Sequence, residues 1–319
     1  MNAPWEEVVA ALKSADEIAL ACHVNPDGDA LGSLLAAHLG LAKLGKTTFA
    51  SWSARRVDLP DAYAFLPGAE ALTQVADVPK ADTFLALDCG AADRLGDLEP
   101  LASAAQTVIN LDHHPGNTEF GTLNVVEPTV SSTAELVCVL LDRLGVEIDR
   151  DIATCLYVGV VTDTGRFQYS NSRPETLRLA ADLLAYGVDA PRIALEVFES
   201  APFGYLKLLG RVLERATLFE EEKLVWSWIT VKDLEEFGVG MDETDKLVDM
   251  VRSTRAADVT AMLKEQRDGR WRVSLRSKGP NVNAIARARG GGGHDLAAGF
   301  TADDREAAIA SIRADLRAG

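Results

Sequence analysis

No apolar run in this chain of 319 residues approaches the ~18 residues that a membrane-spanning helix requires. A membrane-embedded class is thereby set aside. The amino terminus, Met1-Asn-Ala-Pro-Trp-Glu-Glu, offers neither a basic start nor an apolar stretch behind it, so no secretory leader is expected. Cysteine is scarce: Cys22, Cys89, Cys138 and Cys155 all lie in apolar segments, and none forms a C-x-x-C pair. That usage points to small buried residues of a reduced cytoplasm rather than to redox or disulfide chemistry. Positive charge is also in deficit, with 32 Lys and Arg against 48 Asp and Glu and a net charge of -16. Such a field opposes tight, nonspecific binding of duplex nucleic acid.

One segment departs from that balance. Between Gly269 and His294 stand Arg270, Arg272, Arg276, Lys278, Arg287 and Arg289, and no acid. A local patch of this kind lets a small anionic substrate bind in spite of the overall charge. Its plainer reading is a solvated strand edge and helix face, which suits Arg270, Arg287 and Arg289 best.

With 47% hydrophobic residues the chain can bury substantial cores, and its length suggests about two domains. The strongest signal is His23-Val-Asn-Pro-Asp27-Gly-Asp29, which follows the apolar run Ile18 to Cys22. A short apolar run before a Pro-Asp-Gly turn reads as a buried strand giving way to a loop. Two further runs end alike: Thr83 to Leu87 in Asp88, and Thr107 to Leu111 in Asp112-His113-His114. A fourth, Leu156 to Thr162, leads into Asp163-Thr-Gly and reads as strand or buried helix from periodicity alone. Acids and imidazoles delivered at strand ends sit where open α/β sheets place their ligand sites. Clustered carboxylates and imidazoles suit a hard or borderline divalent metal. Of the five histidines, His38 is set apart, because it falls inside a helical pattern and reads as an ordinary helix residue.

Strands are predicted over 17–22, 47–52, 83–88 and 107–112, and helices over 5–14, 30–44, 132–145, 149–162, 174–186, 190–200 and 203–215. The alternation argues for a parallel sheet flanked by helices. Ser131-Ser132-Thr133-Ala134-Glu135 reads as a capping box. The pattern changes near 200–223. Beyond it, Leu224 to Val231 reads as a strand with Trp226 and Trp228 on one face, 242–252 as a helix, 258–266 and 271–276 as a hairpin, and 281–289 and 303–317 as helices. The domains are therefore placed at 1–200 and 223–319, with a linker helix and turn over 201–222. Gly290 to Gly293 followed by His294 would be a flexible linker if it stood alone. Inside a compact domain, and beside the basic segment, its backbone N–H groups read as an anion grip, joined by His294 and by Arg276 at a strand end.

These motifs, His23-V-N-P-Asp27-G-Asp29, Leu87-Asp88, Asp112-His113-His114, Asp163-T-G and G-G-G-G-His294, resemble the DHH phosphoesterase superfamily over essentially the whole chain. The pattern is most similar to its two-domain DHH/DHHA1 branch and to nanoRNase/pAp phosphatases of the NrnA type. The resemblance implies an α/β fold: a parallel-sheet DHH domain with flanking helices plus a smaller α+β DHHA1 domain, with the active site in the cleft between them. It implies two divalent ions, Mn2+ first and Mg2+ or Co2+ as alternatives. His23 and Asp27 would hold one ion, Asp29 and His113 the other, and Asp88 and Asp163 would bridge them. His114 would face the substrate phosphate and Asp112 would orient a histidine. Arg276, Ser277, Gly291, Gly292, Gly293 and His294 match the substrate-gripping segment. Arg94 and Arg166 stand inside motifs, where packing salt bridges explain them equally well.

The expected substrates are very short single-stranded RNA or DNA, or small nucleotides such as 3'-phosphoadenosine 5'-phosphate (pAp), with cyclic or linear di-AMP in addition. Long strands need a continuous basic groove or a further nucleic-acid-binding domain, and neither is expected here. Duplex and membrane partners are not expected, the location is cytoplasmic, and a homodimer stays open. Two rivals remain at this point: a family II inorganic pyrophosphatase, against which the G-G-G-G-His294 segment argues, and a catalytically inert nucleotide sensor.

Overall fold

A computed structural model describes residues 4–318. The chain divides into two compact units, Met1–Ser200 and Ala201–Gly319. No helix among the described residues is long and apolar enough to cross a membrane.

The first unit runs α1 (Trp5–Ser14), β1 (Glu17–Cys22), α2 (Gly28–Lys43), β2 (Thr47–Ser51), β3 (Thr83–Leu87), α3 (Glu99–Ala104), β4 (Thr107–Asp112), β5 (Leu123–Val126), α4 (Thr133–Leu144), α5 (Arg150–Asp163), α6 (Pro174–Ala185) and α7 (Ala190–Phe198). Its five strands are all parallel, in the order β2-β1-β3-β4-β5. Strands buried on both faces read as continuous apolar runs, and β1, β3 and β4 do so. Alternate residues serve opposite faces: Ile18, Leu20, Leu85, Leu87, Ile109 and Leu111 pack with α1, α2, α4 and α5. Ala19, Ala21, Phe84 and Ala86 pack beneath Leu95, Leu98 and Ala102.

Caps set the helix starts. Asp27 caps α2, Ser132 caps α4 and Asp149 caps α5, each accepting backbone N–H bonds through its side chain. The ambiguous run 156–162 is helix, and α2 begins two residues before the predicted start. β5 has only four residues and α3 only six, too short to show a period. His38 is buried in α2 with Nδ1 2.7 Å from Thr48 Oγ1. Cys22, Cys89 and Cys155 are buried free thiols and Cys138 is half-buried.

The second unit runs α8 (Phe203–Glu214), β6 (Thr217–Phe219), β7 (Leu224–Ile229), α9 (Val231–Phe237), α10 (Leu247–Arg252), β8 (Val259–Glu265), β9 (Trp271–Ser277), α11 (Val282–Arg287), β10 (Gly292–His294), β11 (Ala297–Ala302) and α12 (Arg305–Ala318). Its mixed sheet has the order β10-β11-β9-β8-β7-β6, and β7 and β8 form its parallel pair. Leu224, Trp226, Ala261 and Leu275 face α11 and α12. Val225, Ile229 and Met262 face α8, α9 and α10. Residues 201–222, read from the sequence as linker helix and turn, carry α8 and β6. Leu208 and Val212 of α8 lie in this unit's core, and β6 pairs with β7. The helix expected over 242–252 is a 3-10 turn (Asp242–Thr244) followed by α10. β6, α9, β10 and β11 are absent from the sequence reading because each is short or rich in glycine or alanine.

Candidate active site

The strand order sets β1, β3 and β4 side by side. Their carboxyl ends therefore bring His23, Asp88 and the Asp112-His113-His114 run to one edge. In sheets of this order the direction of winding reverses between β1 and β3, and the crevice there is the usual ligand position. Asp27 and Asp29 arrive from the start of α2, and Asp163 from the last residue of α5.

His23 Nδ1 lies 2.9 Å from the Val24 carbonyl. With Nδ1–H donating there, Nε2 turns toward the acids, 3.5 Å from Asp88 Oδ2 and 3.9 Å from Asp27 Oδ1. Asp88 has φ 58, a left-handed conformation that Asp tolerates better than most residues. Its other oxygen, Oδ1, is 3.7 Å from His113 Nε2. His113 Nε2 is also 3.8 Å from Asp29 Oδ2 and 3.6 Å from Asp163 Oδ2. Three groups of three side chains result, each with ligand atoms within 4.8 Å of one another: His23, Asp27 and Asp88; Asp29, His113 and Asp163; Asp88, His113 and His114. Asp88 and His113 each occur in two groups. All six residues singled out as metal ligands thus lie together.

His114 Nδ1 is 2.7 Å from Asp112 Oδ1. Asp112 is fully buried, and its Oδ2 accepts from Asn117 Nδ2 at 2.6 Å. Asn117 Nδ2 and Asn110 Nδ2 both reach the Cys89 carbonyl at 3.0 Å. This polar net fixes the Asp112 carboxylate, which in turn fixes the imidazole. The His114 side chain keeps 33% exposure, so it sits at the accessible side of the cluster.

Electrostatics follow from packing so many acids together. Burial, then the charges of Asp88 and Asp163, push Asp29 well above the ordinary carboxylate range. Burial and the neighbouring Asp27 and Asp88 do the same to Asp163. Burial also works against ionised Asp88, but contacts with His23 and the charges of His114 and His113 hold it below that range. His23 rises to about 9 and His114 to about 10: burial opposes both shifts, and the Asp88 and Asp112 carboxylates respectively outweigh it. Buried carboxylates that repel one another are what a cation would relieve. The donors are oxygen and nitrogen only, which fits a hard or borderline divalent ion.

Five contributors escape the sequence reading. Thr133 and Ala134 donate their N–H groups to Asp29 at 2.7 and 2.9 Å. Asn171 Nδ2 reaches Asp163 Oδ2 at 3.3 Å, and Asn117 steadies Asp112. Gly159 of α5 makes room: a Cβ there would stand 2.5 Å from Ala134 Cβ and 2.8 Å from Asp29 Oδ1. The Ser-Ser-Thr-Ala-Glu motif reads as a helix cap, and nothing in it points to a partner 104 residues away. Of the two arginines, Arg94 places a terminal nitrogen 3.4 Å from His23 Nδ1. Arg166 stacks on Phe198, 5.2 Å from the ring centre.

In the second unit, His294, Ala297 and Arg276 stand in register across β10, β11 and β9. The side chains of Arg276 and His294 therefore leave the sheet on the same face. Arg276 Nε is 3.5 Å from Asp249 Oδ1. Ser277 is buried, and its Oγ accepts from Gly279 N–H at 3.0 Å, which shapes the turn. The glycine run is a sheet edge. A Cβ at Gly291 would lie 2.1 Å from the Gly299 carbonyl, and Gly293 has φ 141, whereas a Cβ at Gly292 would meet nothing within 4 Å. With Arg276, four of the six bases are engaged internally: Arg270 with Asp268 at 2.7 Å, Arg289 with Asp315 at 2.7 Å, Lys278 with the Ala257 carbonyl at 2.9 Å. It is therefore not one continuous anion surface.

Comparison with known proteins agrees with this layout. Residues 17–160 match the DHH family, N-terminal domain, and residues 223–318 match the DHHA1 domain. The chain is 37% identical over 310 residues to the bifunctional oligoribonuclease and PAP phosphatase NrnA of Thermus thermophilus, covering 94% of this chain and 91% of that one. It is 28% identical to the protein of the same description from Bacillus subtilis, covering 96% of each. Among solved structures, an exopolyphosphatase-related protein from Bacteroides fragilis has a TM-score of 0.90 at 26% identity, over 98% of this chain and 95% of that one. RecJ of Thermus thermophilus in complex with Mn2+ has a TM-score of 0.62 at 17% identity, over the full length of this chain and 55% of its own, a likeness of fold.

Proposed function

The chain belongs to the DHH/DHHA1 family, and from that premise we propose that it is a metal-dependent phosphoesterase of the NrnA kind, hydrolysing very short oligonucleotides to mononucleotides and pAp to AMP. The observation that carries this reading is the convergence of two carboxylate-imidazole triads joined through the Asp88–His113 contact. Two divalent ions, Mn2+ foremost with Mg2+ or Co2+ as alternatives, would be held by His23 and Asp27 on one side and by Asp29 and His113 on the other, with Asp88 and Asp163 shared. When bound, such a pair lowers the pKa of water and neutralises the charge that develops on phosphate oxygens.

The side chains supply the remaining parts. The Val24 carbonyl fixes the tautomer of His23, so that Nε2 is the ligating nitrogen. Asp112 holds His114 by Nδ1 and favours its charged form. It is thus an oriented donor at the accessible side of the cluster, suited to a non-bridging phosphoryl oxygen. Arg276 and His294, on one face of the second sheet, are proposed to hold a further phosphate of the substrate. Gly292 would leave its backbone open to close approach. Ser277 contributes through the turn it shapes.

The test is a Mn2+-dependent assay of the full chain on pAp, pApA, RNA of two to about five nucleotides, a longer RNA ladder, cyclic and linear di-AMP, and inorganic pyrophosphate. We expect turnover of pAp and of the shortest RNAs, falling with length and abolished by EDTA. Pyrophosphate turnover well above dinucleotide turnover would replace this reading with a pyrophosphatase. Inertness toward the whole panel would leave a nucleotide sensor.

A further inference from the structure

One residue touches a carboxylate from each of the two triads. Thr133, the first residue of α4, is completely buried. Its N–H donates to Asp29 Oδ2 at 2.7 Å and its hydroxyl donates to Asp88 Oδ1 at 2.9 Å. Asp29 belongs to the triad with His113 and Asp163, and Asp88 to the triad with His23 and Asp27. The half-buried Asp163 is tied to the same turn: Asn171 Nδ2 bridges the Ser131 carbonyl at 2.9 Å and Asp163 Oδ2 at 3.3 Å.

Helix capping does not account for the Thr133 hydroxyl. Ser132 is the N-cap, accepting from Glu135 N–H at 3.3 Å. Glu135 Oε2 returns to Ser131, accepting from its N–H at 3.0 Å and its Oγ at 2.9 Å. Arg173 clamps the other Glu135 oxygen at 2.7 Å. The turn is therefore held from outside, and its first residue is left to organise the acids within. Two further features keep it close: the Gly159 backbone against Ala134, and Asp29 in the open N–H groups of α4.

We infer that Thr133 is a positioning residue that fixes the separation of Asp29 and Asp88 and so couples the two cation sites. The inference rests on the two-ion reading above. A side chain that holds a metal-ligating carboxylate typically changes metal affinity or activity ten- to a hundredfold when removed. Thr133→Val keeps the shape and the N–H but deprives Asp88 Oδ1 of its donor. Thr133→Ser keeps the donor and loses the methyl.

The experiment compares wild type, Thr133→Val and Thr133→Ser by calorimetric Mn2+ titration and by low-temperature electron paramagnetic resonance of the loaded proteins, with thermal melts as a check on folding. Wild type and the Ser variant should bind two Mn2+ and give the spectrum of an exchange-coupled pair. The Val variant should bind the second ion about tenfold or more weakly and give signals of isolated Mn2+, with kcat lowered more than KM for pAp. Thr133→Ala takes its place if the Val variant does not fold. A Val variant with wild-type affinities and a coupled spectrum overturns the inference, as does a Ser variant impaired like Val. Wild type binding a single uncoupled ion overturns the two-ion reading itself, and the inference with it.

Discussion

Asp88 concentrates the chemistry of the site in one side chain. It follows β3, adopts φ 58, and aims one oxygen at His23 and the other at His113. Asn tolerates the same left-handed backbone, so Asp88→Asn should fold while losing the charge that joins the two triads. We expect turnover of pAp to fall at least about a hundredfold, with metal content below that of wild type by elemental analysis. Near-normal activity would remove Asp88 from the shared position. The residues around it show why the ligands alone do not make the site. Asn117, Thr133 and Asn171 are neutral, short and unremarkable in sequence, yet each donates a hydrogen bond to one of the clustered acids. Gly159 contributes only by having no side chain where Asp29 and α4 must approach.

Short elements carry much of the second unit, and their stability rests on charge. Helix α9 has seven residues, too few to persist without its cap and its packing. Asp233 in its first turn is buried and accepts from Thr230 N–H and Oγ1 at 2.8 Å, from Arg215 at 2.6 and 3.0 Å, and from Arg211 at 3.1 Å. Burial opposes its ionisation, but those donors, Arg215 first, hold the carboxyl well below its ordinary value of 3.8. A carboxyl depressed on folding adds stability above its unfolded pKa, and that stability is lost as the pH falls toward the folded value. Asp233→Asn should therefore cost about 2–3 kcal/mol at pH 7. The gap from wild type should narrow as the pH drops below about 3.8. Urea melts of both proteins at pH 7 and at pH 3 check this; a gap that stays constant with pH refutes the ionic account. The glycine edge β10 makes the complementary point. The chain around it is held close to β11 at Gly291 and Gly293, whereas packing leaves room for a side chain at Gly292.

At the scale of the whole molecule, the first unit buries its acids among one another and meets that cost through its own hydrogen bonds and histidines. Cation binding should then add stability directly, because a ligand that binds only the folded state stabilises it by mass action, about 2.7 kcal/mol at a hundredfold excess over Kd. We expect Mn2+ to raise the unfolding temperature in differential scanning calorimetry, EDTA to reverse the rise, and Asp88→Asn to abolish it. A transition indifferent to Mn2+ in wild type would argue against a loaded centre. The net charge of -16 acts at this scale too. It disfavours long polyanions and leaves small substrates to be held by local donors.

Much of the fold and most of the candidate ligands were legible in the chain itself. Buried parallel strands must be apolar throughout, and an acid or imidazole at the end of such a run stands out: His23, Asp88, Asp112 and His113 are visible this way, and Asp163 stands out likewise at the end of an apolar helix. One helix, α4, is announced by the capping box at Ser131 to Glu135. Tertiary structure decided the rest. Strand order placed β1 beside β3 and β3 beside β4, and no single run encodes its neighbours. Only that order turns three strand ends into one cluster, and only the approach of α4 and α5 gives Asp29 its donors. The physical reason is range. Turn chemistry and periodicity act over a few residues, whereas a buried carboxylate must find its partners wherever packing brings them, here more than a hundred residues along the chain.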